Sequence, residues 1–225
     1  MPGAPGRRPV LRRLRPWLRA LPPRRLALFG AAIVASMTFV IVAAEMRAGA
    51  LDRLDRAVEL AIHRLDARPP DLAMEAAAQL GANAVLLPVV AAVTALAIRM
   101  RRRAVALILV IDTIVVIAAY SLLKLMFSRE RPRLFDKVAL PTGYSFPSGH
   151  AMSAVGIYGV IAAALIAMYP RARRPVIAAA IALIAMIGLC RIYLGVHWPS
   201  DVIGGFLGGV PPLVVSVHLI HHPRR

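Results

Sequence analysis

The sequence is poor in cysteine and in acidic residues. Its 225 residues include a single cysteine, Cys190, and only 11 acidic residues against 28 lysines and arginines. One cysteine excludes an intramolecular disulfide, so packing and backbone hydrogen bonds must hold the fold together. The shortage of acids leaves a formal net charge of +17, which would suit nucleic acid or an anionic membrane surface as a partner.

The positions of the basic residues decide between these two partners. The bases concentrate in four clusters, residues 7–25, 99–103, 171–174 and 224–225, and each cluster adjoins a hydrophobic segment. Hydrophobic residues make up 59% of the chain and the mean hydropathy is +0.69, more than the core of a soluble domain of this length requires. We therefore predict an integral membrane protein, with membrane lipids and no nucleic acid as its partners.

Six apolar stretches approach the length needed to cross a bilayer. A hydrocarbon core about 30 Å thick requires roughly 20 mostly apolar residues in a helix. The stretches occupy residues 26–44, 73–98, 104–127, 150–169, 176–194 and 202–220, and leave no segment for a soluble domain. We predict an all-α, polytopic bundle of six transmembrane helices. It forms one domain over residues 26–220, between a basic N-terminal segment, 1–25, and a C-terminal tail, 221–225.

The basic clusters also predict which loops face the cytoplasm, because cytoplasmic loops carry an excess of lysine and arginine. Six crossings that begin with a cytoplasmic N-terminus place all four clusters on the cytoplasmic side. Both termini are then cytoplasmic, and loops 45–72, 128–149 and 195–201 face outward. A cleavable signal peptide within residues 1–44 is the competing interpretation; its removal would leave five spans and break the charge pattern.

The first outward loop contains an amphipathic segment, LDRLDRAVELAIHRL at residues 51–65. Its apolar residues recur at intervals of three and four, which predicts a helix at the outer membrane interface: Leu51, Leu54, Val58, Ala61 and Leu65. Such a helix could be an interfacial strut or a lid that guides lipid headgroups.

Two groups of polar residues stand at the ends of apolar stretches on the predicted outer side. Lys124 ends the third stretch and Arg131 follows seven residues later, although bases that reach for the interface are common at such positions. Ser148 and Gly149 precede the fourth stretch, where unpaired backbone N–H groups at a helix start attract phosphate. A simple helix cap explains Ser148 and Gly149, but it does not explain His150 in the first turn.

A third group lies in RIYLGVHWPSD, residues 191–201. Arg191 ends the fifth stretch, His197 lies in the outward loop, and Asp201 falls in the first turn of the sixth helix. An acid in this position can hold one ring nitrogen of His197 as N–H and leave the other as a bare lone pair, as a nucleophile requires. The alternative is a buried ion pair that ties two spans together.

Taken together, these residues match a known pattern. Lys124 to Pro132 fits K-x-x-x-x-x-x-R-P, residues 147–150 read P-S-G-H, and Arg191 to Asp201 fits R-x-x-x-x-x-H-x-x-x-D. The chain resembles the type 2 phosphatidic acid phosphatase family, which shares its site with the vanadium-dependent haloperoxidases. One position departs from the pattern: Cys190 stands where the family has serine, and a thiol is the weaker hydrogen-bond donor.

The resemblance implies a role for each matching residue. Five groups would surround a phosphoryl group and stabilise its negative charge: Lys124, Arg131, the Ser148 hydroxyl, the Gly149 N–H and Arg191. His197 would attack phosphorus to form a phosphohistidine, and Asp201 would stabilise the positive ring. His150 would protonate the departing oxygen and then activate water. Neither a metal nor a cofactor is required by this scheme.

The function implied is a metal-independent lipid phosphatase, a multi-pass protein of a bacterial inner membrane with its active site on the periplasmic side. Candidate substrates are undecaprenyl diphosphate, phosphatidate and phosphatidylglycerol phosphate, and the oligomeric state is left open. The competing functions are a vanadate-dependent haloperoxidase and a non-catalytic lipid transporter on the same fold.

Asp112 lies inside the third apolar stretch, where a carboxyl group is costly. We expect it to form a hydrogen bond to another helix, such as the one that carries Asn83 or Gln79.

Overall fold

The computed structural model describes residues 23–64, 68–134 and 141–221. These residues form eight helices and no strand: α1 Pro23–Arg47, α2 Asp52–His63, α3 Arg68–Gln79, α4 Asn83–Arg99, α5 Arg103–Phe127, α6 Gly149–Met168, α7 Arg173–Tyr193 and α8 Pro199–His221. The predicted all-α class is confirmed. The basic segment up to residue 22, the end of the predicted amphipathic helix at Leu65, and the tail from residue 222 lie outside the described residues.

Five of the helices are long and apolar enough to cross a membrane by themselves: α1, α5, α6, α7 with the short turn before it, and α8. The sixth predicted span differs from expectation, because α3 and α4 are two helices that meet at an angle of 50°. Together they are long and apolar enough to cross a membrane, and counting the pair as one bent span brings the candidate spans among the described residues to six. Hydropathy reports length and composition, so the prediction over residues 73–98 missed the bend.

The bend at Leu80–Ala82 has a local cause. Ala82 adopts an extended conformation before α4, which leaves the preceding carbonyl groups outside any continuous helix. The Tyr158 hydroxyl of α6 donates a hydrogen bond to the Leu80 carbonyl and so satisfies one of them. A Cβ atom on Gly81 would lie 2.8 Å from the His150 ring and 2.9 Å from Ile187. Only glycine lets the bend pack this closely against the start of α6.

Helix α6 is the most buried of the five long helices and forms the centre of the bundle. A five-residue π turn, Ala154–Tyr158, interrupts it, and such turns are frequent at functional sites. Helix α8 packs directly on α6, since a Cβ on Gly205 would come within 2.5 Å of the Ser148 carbonyl oxygen. The Ser148 N–H also donates to the Asp201 carbonyl at 2.9 Å, which joins the starts of the two helices.

Helix α2 confirms the predicted amphipathic helix, but two of its three acids face inward. Asp55 and Glu59 are 2% and 1% exposed, whereas Leu54 is 60% exposed. Both carboxylate oxygens of Glu59 are buried without a hydrogen-bond partner among the described residues. Burial first, and then the nearby Asp55 and Asp201 carboxylates, raise the pKa of Glu59 to about 7. Leu54 and Leu60 are therefore exposed and free to contact lipid, while Asp55 and Glu59 contact the rest of the protein.

The buried Asp112 on α5 is bonded to another helix, as expected, but the expected partners were wrong. Its Oδ1 accepts a hydrogen bond from the Ser216 hydroxyl of α8 at 2.6 Å. Asn83 instead donates to the Tyr120 hydroxyl at 3.1 Å. Which helix faces Asp112 depends on how α8 packs on α5, and no short motif records that packing.

Candidate active site

The three sequence motifs meet at one end of the helix bundle. There they line a cavity of about 220 Å³ whose walls include most of the predicted site residues: Lys124, Arg131, Gly149, His150, Arg191 and His197. A larger cavity of about 450 Å³ lies beside it and shares Arg131. We identify the smaller cavity as the candidate active site, because it contains both histidines and the convergent positive charges.

The positions of these side chains follow from the ends of the helices. Lys124 lies in the last turn of α5 and Arg191 in the last turn of α7. His150 lies in the first turn of α6 and Asp201 in the first turn of α8, while His197 occupies the loop between α7 and α8. Residues more than 70 positions apart therefore converge because four helices begin or end at the same level.

Lys124 and Arg131 point into the protein and hold two loops in place. The Lys124 ammonium donates to the carbonyl oxygens of Tyr144, at 2.5 Å, and Ser145, at 3.3 Å. Arg131 donates to the Gly143 carbonyl at 3.1 Å and to the Val196 carbonyl at 2.8 Å. Carbonyl groups do not neutralise these cations, so both positive charges remain available to an anion.

His197 is buried, and its two ring nitrogens face different groups. Nδ1 lies 3.5 Å from an Asp201 carboxylate oxygen and 3.5 Å from the Ser145 hydroxyl. Nε2 lies 3.1 Å from Nη1 of Arg131. The pairing with Asp201 is present at a distance longer than an ordinary hydrogen bond. In this structure the nitrogen predicted to carry a bare lone pair is in contact with the Arg131 guanidinium.

The surroundings of His197 favour the neutral form of its ring. Burial is the larger cause, and the charges of Lys124, Arg131 and Arg191 add to it, so the pKa of His197 falls well below its usual value. A neutral imidazole with one protonated nitrogen has one nucleophilic nitrogen, which a protonated ring lacks.

Asp201 accepts hydrogen bonds from three groups besides its contact with His197. The Trp198 N–H donates at 2.9 Å, the Ser145 hydroxyl donates to the same oxygen, and Arg129 donates to the other oxygen at 2.8 Å. Sequence reasoning missed Arg129 and Ser145. Both lie within or next to recognised motifs, yet nothing in the sequence distinguishes them from ordinary loop residues.

Arg191 is buried beside the cavity, and its Nε has no hydrogen-bond partner among the described residues. A buried guanidinium normally pairs with an anion or with carbonyl groups. Its neighbour Cys190, the departure from the family pattern, is fully buried, and its Sγ lies 3.5 Å from the Met74 sulfur of α3. The thiol therefore packs against α3 in an apolar cluster.

Ser148, Gly149 and His150 form the start of α6. The Ser148 hydroxyl oxygen accepts a hydrogen bond from the Ala151 N–H at 3.5 Å, which makes Ser148 the N-cap. A Cβ on Gly149 would lie 3.2 Å from the Tyr120 ring, and the Gly81 backbone packs against His150. The first N–H groups of a helix have no acceptor within the helix, so this end of the cavity can bind an anion.

Together, the fold and the site define a multi-pass helical membrane protein with a cation-lined, histidine-containing pocket at one end of the bundle. The sequence profile of the PAP2 superfamily matches residues 103–224, more than half of the chain. The chain therefore belongs to the PAP2 superfamily.

Individual relatives agree with this assignment. A phosphatidylglycerophosphatase B from Bacillus subtilis (strain 168) is 32% identical over 177 residues, which cover 76% of this chain and 86% of the relative. An undecaprenyl-diphosphatase from Sulfolobus acidocaldarius is 30% identical over 123 residues, covering 52% of this chain and 56% of the relative.

The fold is also similar to a solved structure. The crystal structure of the first transmembrane PAP2 type phosphatidylglycerolphosphate phosphatase from Bacillus subtilis superposes with a TM-score of 0.82 at 27% identity. The match covers 86% of this chain and 98% of that one. The chain is thus similar in sequence and in fold to membrane phosphatases of the PAP2 type.

Proposed function

We propose that the protein hydrolyses a lipid phosphomonoester or diphosphate at the outer face of the membrane, without a metal, through a phosphohistidine on His197. One observation carries the proposal: the buried His197 lines a cavity together with three cations, Lys124, Arg131 and Arg191. The buried Arg191 has an Nε without a partner, and a phosphoryl oxygen would satisfy it. The activities for which the relatives are named, a phosphatidylglycerophosphatase and an undecaprenyl-diphosphatase, support the same chemistry.

Substrate binding would rearrange the contacts of Arg131. In the structure its Nη1 lies 3.1 Å from Nε2 of His197, where it occupies the lone pair needed for attack. A phosphoryl oxygen attracts the guanidinium more strongly than a neutral imidazole does, because the hydrogen bond to oxygen is charge-assisted on both sides. Phosphate binding would therefore free Nε2. Lys124, Arg191, the Ser148 hydroxyl and the Gly149 N–H complete the proposed phosphate site.

The reaction then proceeds in two displacements. Before the attack His150 must take up a proton, which the negative charge of the bound phosphoryl group favours. Nε2 of His197 then attacks phosphorus, the bond to the lipid oxygen breaks, and protonated His150 donates its proton to that oxygen and becomes neutral. The ring of His197 becomes positive, and the Asp201 carboxylate beside Nδ1 stabilises it. His150, now a base, removes a proton from water, which attacks phosphorus and breaks the P–N bond. Inorganic phosphate leaves and His197 returns to its neutral form.

Activity should survive chelators and be blocked by vanadate. The proposed phosphate site consists of bases, a hydroxyl and backbone donors, which neutralise phosphate directly and resemble none of the oxygen-ligand sets that hold Mg²⁺. Phosphate release from phosphatidate, phosphatidylglycerol phosphate and undecaprenyl diphosphate is measured in detergent, with and without EDTA. Loss of turnover in EDTA that Mg²⁺ restores would contradict the metal-free mechanism, and vanadate-dependent halide oxidation without phosphate release would favour a haloperoxidase.

The site should face away from the cytoplasm. Thr142 is an exposed residue in the loop before α6, and Arg171 is exposed in a basic loop at the opposite ends of α6 and α7. In a Cys190→Ser background, Thr142→Cys should react with an impermeant thiol reagent in intact spheroplasts, and Arg171→Cys only after lysis. The reverse pattern would place the site, and its substrate, on the cytoplasmic side.

A further inference from the structure

We propose that Asp55 of α2 and Arg129 are positioning residues, which together hold Asp201 in place for the attack by His197. The inference rests on the proposed roles of His197 and Asp201. Asp55 lies outside residues 103–224, the part of the chain that matches the superfamily profile. The proposal gives α2 a role in positioning the catalytic residues, in addition to the role of an interfacial strut or a lid.

Arg129 bridges the two acids directly. Its Nη1 donates to Oδ1 of Asp201 at 2.8 Å, and its Nη2 donates to Oδ2 of Asp55 at 2.7 Å. Both carboxylates are buried, and the Arg129 side chain is only 10% exposed. Buried, charge-assisted bonds of this length constrain geometry far more than exposed ion pairs do.

Ser200 provides a second connection between Asp55 and the start of α8. Its N–H donates to Oδ1 of Asp55 at 2.9 Å, and its hydroxyl donates to Oδ2 at 2.6 Å. The same hydroxyl accepts a hydrogen bond from Arg129 at 2.7 Å. Asp55 thus binds one of the free N–H groups in the first turn of α8 and holds the backbone immediately before Asp201.

Trp198 contacts both Arg129 and Asp201. The Arg129 guanidinium lies 5.6 Å from the centre of the Trp198 ring, within the range of a cation–π contact. The Trp198 N–H donates to Asp201, and its indole N–H donates to the Glu130 carbonyl at 3.2 Å. Trp198, the residue after the proposed nucleophile His197, therefore connects the loop between α7 and α8 to Arg129.

The charges of the three residues suit the reaction. Arg129 alone would place a positive charge near His197 just as that ring becomes positive. With Asp55 paired to it, the two carboxylates and one guanidinium leave a single net negative charge beside the ring. Asp201 also needs a defined position, because its oxygen lies 3.5 Å from Nδ1 and has to approach as positive charge develops.

Asp55→Asn tests the proposal, with Asp52→Asn as the matched control. The amide keeps the shape of the side chain but loses its charge, and it cannot accept from all three donors. We expect kcat to fall about 10- to 100-fold on both a lipid phosphate and p-nitrophenyl phosphate, with KM changed less than about threefold. Asp52 lies on the same helix, 3.6 Å from Arg129 but 60% exposed, and its substitution should change kcat less than about twofold.

Arg129→Lys provides a second test, because lysine keeps the charge but cannot span both acids. We expect a similar loss of kcat at unchanged KM. Since both residues act through one bridge, the double variant should lose no more than the worse single variant. If Asp55→Asn does not fold, the effect of Arg129→Lys on kcat and KM tests the positioning role by itself.

Normal kcat per folded molecule in these variants, or a loss that follows only the yield of folded protein, would overturn the positioning role. Additive losses of kcat in the double variant would also overturn the positioning role. If His197→Ala is inactive while Asp55→Asn and Arg129→Lys are normal, this inference fails alone. Substantial activity in His197→Ala would instead refute the proposed function on which it rests.

Discussion

His197→Ala is expected to abolish turnover on every phosphate ester, whatever the leaving group. The substitution removes the nitrogen that is proposed to form the P–N bond, and in the proposed mechanism His150 acts only as acid and base. Loss of a nucleophile in enzymes that use a covalent intermediate costs about 10⁴- to 10⁶-fold in kcat. Release of inorganic phosphate from a lipid phosphate and from p-nitrophenyl phosphate measures the loss.

His221→Ala is the matched control for this variant. His221 is an exposed residue at the last position of α8, at the opposite end of that helix from Asp201. Its substitution should leave both rates within about twofold, as is usual for surface changes. If His197→Ala retained a tenth of wild-type activity, another group would have to be the nucleophile.

His150→Ala is expected to separate the two histidines by the leaving group. A lipid alkoxide needs a proton as its bond to phosphorus breaks, whereas p-nitrophenolate leaves without one. General-acid assistance contributes about 10²- to 10⁴-fold, or roughly 3 to 5 kcal/mol. Formation of the phosphoenzyme should therefore slow by that factor on a lipid phosphate and much less on p-nitrophenyl phosphate.

The comparison requires single-turnover measurements, because the proposed role of His150 also includes activating water in the second displacement. The initial burst of nitrophenolate reports phosphoenzyme formation alone, and the following steady state reports its hydrolysis. We expect a preserved burst and a slow steady state in His150→Ala. Equal losses of the first step on both substrates, or a burst retained in His197→Ala, would reverse or refute the assignment of roles.

The sequence was most informative where a structural element is local. The first two motifs each lie at one helix end and the third spans the two ends joined by the loop between α7 and α8, so the fold only had to bring four helix ends to the same level. Hydropathy located the apolar segments because the bilayer sets their length. Hydropathy could not predict the bend at Gly81, because neither a bend nor the close approach of Gly81 to His150 changes the hydropathy of residues 73–98.

The contacts around Asp201 could not be predicted for a different reason. Arg129 and Asp201 are 72 positions apart, and Asp55 and Ser200 are 145 apart, so neither pair lies within a motif. The inward turn of Asp55 also opposes the usual rule that acids on an amphipathic helix face water. The contact of Arg131 with Nε2 of His197, like the bond between Asp112 and Ser216, depends on the packing of separate segments.

Trapping the phosphorylated enzyme tests the central claim most directly. Wild-type protein is mixed with a substrate labelled in the transferred phosphate, quenched in base within one turnover and digested, and the labelled peptide is sequenced. We predict label on His197, within RIYLGVHWPSD, that is stable in base, lost in acid and absent from His197→Ala. Label on another residue, or full activity with no labelled enzyme at any time during the first turnover, would contradict the phosphohistidine mechanism.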